Sequence, residues 1–225
     1  MKASKISCSG IIFDCDGVLF DSNELKVEAF RKTLSTYSMD IVEAFILYHK
    51  NNAGISRYVK FRVFIVEFLG KTFEQGEYEK LLESYGRACK ELYQQASLTP
   101  GGTCFLKEAS SAVPLYVASG SDELELNDVF KQRQVTQYFM KILGSPKTKL
   151  ECVQEALKDI GFSKGVVMVG DAESDWRAAQ ESGISFIFMS RYSERRDAMK
   201  LLAQKYGFDE IDTLEGLEQK LNFKD

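Results

Sequence analysis

Apolar residues fall along this chain in two rhythms. The unbroken runs Ile11-Ile12-Phe13, Leu115-Tyr116-Val117-Ala118 and Val166-Val167-Met168-Val169 each stop at a glycine, serine or aspartate. Short apolar runs bounded by turn residues predict buried strands. Between 22 and 96 the spacing changes to threes and fours, which predicts helices at 23–37, 40–50, 56–69 and 74–96, the third closed by Gly70. No strand pattern interrupts them, so 22–96 is expected to be an inserted all-helical domain. From Thr99-Pro100-Gly101-Gly102 onward, strands are predicted at 113–118, 140–143, 165–169 and 184–189, with helices at 102–110, 123–132, 148–160 and 174–182. The tail, 193–221, predicts two more helical stretches separated by Gly207-Phe208. Strand–helix alternation of this kind implies a parallel sheet covered on both faces. The expected architecture is therefore α/β: a doubly wound core of 1–21 and 97–225, with the smaller helical domain inserted.

Two acids, Asp14 and Asp16, follow the first run, and Gly17 lets the loop turn. Carboxylates this close repel when both are ionised, and a divalent cation is the usual compensation. The second run leads into Ser119-Gly120-Ser121, and the third into Gly170-Asp171 with Asp175 four residues on. If the three runs are parallel neighbours, their carboxyl ends share one edge, where open α/β sheets bind ligands. Asp14, Asp171 and the backbone carbonyl of Asp16 would then form an oxygen-only site suited to Mg²⁺, with Asp175 as a water-mediated ligand or an orienting group.

Composition narrows the functional classes. The chain has 225 residues, 44% hydrophobic, and a net charge of −4, which gives no general attraction to nucleic acid or an anionic membrane. No run of eighteen apolar residues is present, and the first residues lack the apolar core of a signal peptide. Five scattered cysteines without a C-x-x-C pair argue against a disulfide framework or zinc site, so a reducing cytoplasm is expected. Cys15 is expected to be a spacer facing away from the acids. The single histidine, His49, lies in a predicted helix distant in sequence from these acids, which disfavours a histidine-based triad.

The stretch Asp14-Cys15-Asp16-Gly17-Val18-Leu19-Phe20-Asp21-Ser22 resembles the first motif of the haloacid dehalogenase (HAD) superfamily, DxDGVLxDS. Ser119 resembles the second motif, and Gly170-Asp171-Ala172-Glu173-Ser174-Asp175 the fourth, GDxxxD. The resemblance implies the phosphatase branch, in which a helical cap lies between the first two motifs. By that resemblance Asp14 is the nucleophile, forming an aspartyl-phosphate, and Asp16 the general acid/base. Ser119, with the amides of Gly120 and Ser121, would bind the phosphate.

The third family motif is a charge-balancing lysine before a helix. Lys147 and Lys149 both qualify; counted from Lys147, the register Val153, Leu157, Ile160, Gly161 resembles the family spacing and so favours Lys147, although Thr148 stands where the family usually has proline. In the cap, Arg57 and Lys60 are i, i+3 neighbours that could meet an anionic or hydroxylated leaving group, or simply form a solvated basic face. Asn23 and Glu24, at the hinge, could also see substrate. The expected function is Mg²⁺-dependent hydrolysis of a small phosphorylated metabolite by a monomer or homodimer. Phosphoglycolate and sugar phosphates are family substrates. A β-phosphoglucomutase-type phosphomutase and a non-catalytic HAD-like binding protein are the alternatives.

Overall fold

The structure, a computed structural model, describes residues 5–223. The chain begins with β1 (Ile6–Cys8), β2 (Gly10–Phe13) and β3 (Phe20–Asp21). Four helical segments follow: α1 (Asn23–Thr33), α2 (Met39–Asn51), α3 (Arg57–Val63) and α4 (Gln75–Tyr93). After β4 (Ser97–Leu98) come α5 (Gly102–Ala112), β5 (Leu115–Asp122), α6 (Glu123–Gln132), β6 (Lys141–Ser145) and α7 (Lys149–Ile160). Then β7 (Val166–Gly170), α8 (Glu173–Glu181), β8 (Ser185–Met189), α9 (Arg196–Tyr206), β9 (Asp209–Ile211), α10 (Glu215–Lys220) and β10 (Leu221–Phe223) complete it. Among the described residues no helix is long and apolar enough to cross a membrane.

Six strands form one parallel sheet in the order β6-β5-β2-β7-β8-β9. The chain winds outward from β2 to β6 on one side, then crosses back to β7 and winds outward to β9 on the other. The topological switch point is therefore β2, between β5 and β7, as a doubly wound sheet requires. Alternate residues face opposite layers. Ile11, Phe13, Val117 and Val169 join the large core that extends into the helical segment. Ile12, Tyr116, Ala118 and Met168 instead pack with Cys152, Val153, Ala156 and Trp176 of α7 and α8.

The helical segment leaves and re-enters through an antiparallel pair, with Phe20 opposite Leu98 and Asp21 opposite Ser97. Thr99 ties down the return, its Oγ1 donating to the Val18 carbonyl at 2.6 Å. The interior of the segment is aromatic. Phe30 packs on Tyr85 with ring centroids 4.2 Å apart, and on Phe45 and Phe61 at 5.3 and 5.4 Å. The third predicted helix widens midway, since Phe64–Phe68 is a π turn continuing α3.

The tail departs from expectation. It contains α9 and α10, but also β9 at the sheet edge and β10, which pairs in parallel with β1. Each of these strands has three residues. Asp209–Ile211 buries only Ile211, so it offers no apolar run to read.

Candidate active site

The carboxyl ends of β2, β5 and β7 form the floor of a cavity, and α1 to α4 supply its roof. Together they enclose about 530 Å³ of non-atom space, part of it open to solvent. The Asp14 amide donates to the Val169 carbonyl at 2.8 Å, fixing Asp14 at the switch point. Its Oδ1 accepts from the Cys15 amide at 2.7 Å and from Lys149 Nζ at 2.6 Å. Lys149 also donates to the Ala118 carbonyl at 3.0 Å and pairs with Asp175 Oδ1 at 2.8 Å.

This geometry reverses the preference for Lys147. That lysine is one-third exposed and pairs with Glu123 and Glu155, each at 2.9 Å. The reason is helix phase. Thr148 caps α7 in a capping box with Glu151, so the buried face is Lys149, Cys152, Val153 and Ala156. Lys149 lies on that face, and Lys147 precedes the helix.

Asp14, Asp171 and Asp175 each place a carboxylate oxygen within 4.8 Å of the others. Asp175 is fully buried and committed: its Oδ2 accepts from the Asp171 and Ala172 amides at 3.1 and 3.0 Å, and its Oδ1 faces Lys149. It therefore shapes the loop and steers the lysine. Asp171 Oδ2 accepts from Asn23 Nδ2 at 2.9 Å, and Ser193 Oγ donates to its carbonyl at 2.5 Å. No described hydrogen bond uses Asp14 Oδ2 or Asp171 Oδ1.

Burial, then repulsion from Asp175, raises the Asp14 pKa to about 7 despite Lys149. Burial, then Asp14 and Asp175, lifts Asp171 well above the usual carboxylate range. Two opposed, buried carboxylates that each keep an oxygen free match what a hard divalent cation requires. The donor set thus fits Mg²⁺, with Asp14 and Asp171 as the protein carboxylates that would hold it.

The Asp16 carboxylate stands outside that trio. Its Oδ1 accepts from Ser22 Oγ at 2.6 Å and from the Tyr93 hydroxyl. Its Oδ2 accepts from Ser121 Oγ at 3.0 Å and from Lys26 Nζ. Burial alone would raise its pKa, but the Lys26 ammonium and these hydrogen bonds outweigh burial and lower it. Gly120 and Ser121 line the cavity. Ser119 lies beneath them, fully buried, its Oγ accepting from the Ser121 amide at 3.2 Å. Gly120 is required by the roof, since an added Cβ would come within 3.0 Å of the Gly54 carbonyl carbon. Cys15 is buried and its thiol pKa is raised well above normal by burial, then by Asp16 and Asp14, so it stays a protonated spacer.

On the roof, Arg57 and Lys60 are 7% and 2% exposed, so a solvated basic face is excluded. Arg57 makes a fork-on-fork pair with Glu125 of α6, with Nη1 to Oε1 at 2.8 Å. Lys60 Nζ meets His49 Nδ1 at 2.7 Å. His49 lines the cavity with Asp14 and Asp16 although it is distant from them in sequence. Lys26, Tyr85, Tyr93 and Glu194 escaped the sequence reading. Lys26 alone carried a signal, because it lies one helical turn past Ser22. Glu24 faces Lys50 on the surface instead, at 2.8 Å.

The profile of the haloacid dehalogenase-like hydrolase family matches residues 11–189. The chain belongs to that family. No curated protein matches it significantly. Among solved structures, a haloacid dehalogenase-like family hydrolase from Streptococcus pneumoniae is 22% identical, with a TM-score of 0.69, covering 94% of this chain and 97% of that one. A predicted phosphatase from Clostridium acetobutylicum is 18% identical, with a TM-score of 0.75 and coverages of 95% and 98%. The HAD-hydrolase YfnB from Bacillus subtilis, bound to magnesium, is 16% identical, with a TM-score of 0.68 and coverages of 94% and 97%.

Proposed function

We propose that this haloacid dehalogenase-like hydrolase is a Mg²⁺-dependent phosphomonoester hydrolase working through an aspartyl-phosphate on Asp14. The observation that carries the reading is the setting of Asp14: one oxygen is held by Lys149 and Cys15, and the other is free at the switch point beside Asp171. That arrangement fixes a carboxylate as an oriented nucleophile. Bound Mg²⁺ would neutralise charge between the carboxylates and the anionic phosphate.

Lys149 balances charge on the attacking side, and the Gly120–Ser121 segment offers donors to phosphate oxygens. Asp16 would protonate the leaving oxygen and later take a proton from water. Its partners Lys26 and Tyr93 belong to the helical segment, so movement of 22–96 as a cap would loosen them and let Asp16 take up its proton. Neighbours described as phosphatases and as magnesium-bound support this reading without fixing a substrate.

The test is phosphate release from a panel of phosphomonoesters, with Mg²⁺ or chelator, for wild type and Asp14→Asn. Release that requires both metal and Asp14 is expected, and rearranged phosphate esters without free phosphate would mark a phosphomutase instead. Release surviving in Asp14→Asn would overturn the assigned nucleophile.

A further inference from the structure

The roof presents cations to the cavity, and all but one are neutralised within the protein. Lys26 pairs with Asp16, and Arg57 with Glu125. Lys60 has no carboxylate within 4.0 Å among the described residues, although it is only 2% exposed. One of its three protons is used, toward His49 Nδ1 at 2.7 Å. When Lys60 is protonated that nitrogen accepts, so the imidazole carries its proton on Nε2 and is neutral. Burial, then the Lys60 charge, depresses the His49 pKa well below normal, which agrees. His49 therefore braces Lys60 and cannot neutralise it.

An ammonium buried without a counter-charge is costly. Burial, then repulsion from Lys26, draws the Lys60 pKa down to about 7, with Glu194 and Asp16 opposing. Glu194 faces the same cavity, and its Oε1 is buried without a hydrogen-bond partner, 3.7 Å from Lys50. The upper cavity thus holds a cation with no ion-pair partner and a carboxylate oxygen with no hydrogen-bond partner. The scissile phosphate has its own donors on the floor, in Lys149 and the Gly120–Ser121 segment. A neutral leaving group would give the Lys60 ammonium no partner and favour loss of its proton, whereas an anion supplies the missing partner and keeps it charged. The free Glu194 oxygen would accept from a hydroxyl of the same molecule.

Resting on the phosphatase reading, we propose that the substrate's leaving group carries a second anionic group, and that Lys60, held by His49, receives it. Carboxylate and phosphate share this chemistry, and the probes separate them.

Calorimetric binding to Asp14→Asn with Mg²⁺ would compare 3-phosphoglycerate, glucose 1,6-bisphosphate and glycerol 3-phosphate. One anionic-tailed ester is expected to bind at least ten-fold more tightly than glycerol 3-phosphate. Adding Lys60→Met should bring the three Kd values within about three-fold of one another. His49→Gln should give an intermediate loss. Equal or tighter binding of glycerol 3-phosphate overturns the proposal. So does a preference that survives Lys60→Met, or no binding by any ester. Thermal melting checks the fold of Lys60→Met, which relieves a buried charge, and Lys60→Gln serves as a second variant. A preference that holds while wild type releases no phosphate would sink the phosphatase reading and leave the anion site standing.

Discussion

The floor and the roof of the cavity hold charge in opposite ways. On the floor, acids outnumber bases: Asp14, Asp171 and Asp175 share Lys149, and the acid pKa values of Asp14 and Asp171 rise. On the roof, bases dominate, and the pKa values of His49 and Lys60 fall. The floor is short of positive charge and the roof of negative charge. Those pKa shifts ease each deficit by favouring neutral groups, and a ligand of the opposite charge would fill it. A metal cation below and an anionic substrate above would complete both. Rigid backbone sets the floor, at the ends of parallel strands. Side chains on helices set the roof, and these can change without disturbing the sheet.

The sharpest test of the floor compares two lysines. Lys149→Met should cut kcat roughly 10²- to 10³-fold, the scale for losing one preorganised electrostatic partner. Lys147→Met should leave kcat within about two-fold, because its partners lie on the surface. Steady-state kinetics on the same ester decide it, and similar losses in both variants would mean that the helix phase does not select the motif lysine.

Lys26 joins the two regions, reaching from α1 to Asp16 on the floor and to Ser121 Oγ at 2.6 Å. Lys26→Met removes the main influence lowering the Asp16 pKa after burial is set against it. The variant should lose about ten- to a hundred-fold in kcat. Its pH–rate profile should show the acidic limb moved to higher pH, because a carboxylate without its ammonium partner ionises later. An unmoved limb would show that another group titrates there.

Much of the floor was legible because sheet chemistry is local. Asp14 and Asp171 end apolar runs, and one topological rule brings them together. Lys149 was nearly legible. The capping box Thr148–Glu151 places it at the first helical position, and that local signal outranks the apolar register that favoured Lys147. The roof was less legible, because its contacts depend on how helices pack. His49 and Lys60 are eleven residues apart, and Arg57 and Glu125 are separated by 68. No spacing rule forecasts either pair. The edge strand β9 was hidden for a different reason: only one of its three residues is buried, so it lacks the hydrophobic pattern that marks central strands.

Stability against pH offers a smaller effect and tests the floor without catalysis. The folded Asp14 pKa, about 7, lies above its unfolded value of about 3.8. Between these values the folded state holds more protons than the unfolded state. The stability that this group contributes is full below about pH 4 and is lost as pH rises through 7, with a slope of at most about 1.4 kcal/mol per pH unit. Chemical denaturation in chelator should follow that fall, and both Asp14→Asn and added Mg²⁺ should flatten it. A metal-free protein that gains stability from pH 4 to 7 as steeply as the Asn variant does would show that Asp14 ionises at no cost.

The smallest expected effect is at the seam. Tyr58 on α3 donates to Asp122 Oδ2 at 2.6 Å, beside the Arg57–Glu125 pair. Asp122 caps α6 through its other oxygen, so Tyr58→Phe should leave that cap in place. Losing one partly exposed hydrogen bond is worth about 0.5–1.5 kcal/mol. If the seam governs closure of the roof over the floor, this energy shifts a closed–open balance, changing KM by about two- to ten-fold. In that case kcat for a saturating ester and the melting temperature should change little, since neither the floor nor the aromatic interior of the roof is touched. If Tyr58→Phe lowers the melting temperature and leaves KM alone, the contact is ordinary packing between two parts of one rigid body. The charge contrast between floor and roof would then be fixed in place, with no closure to bring it together.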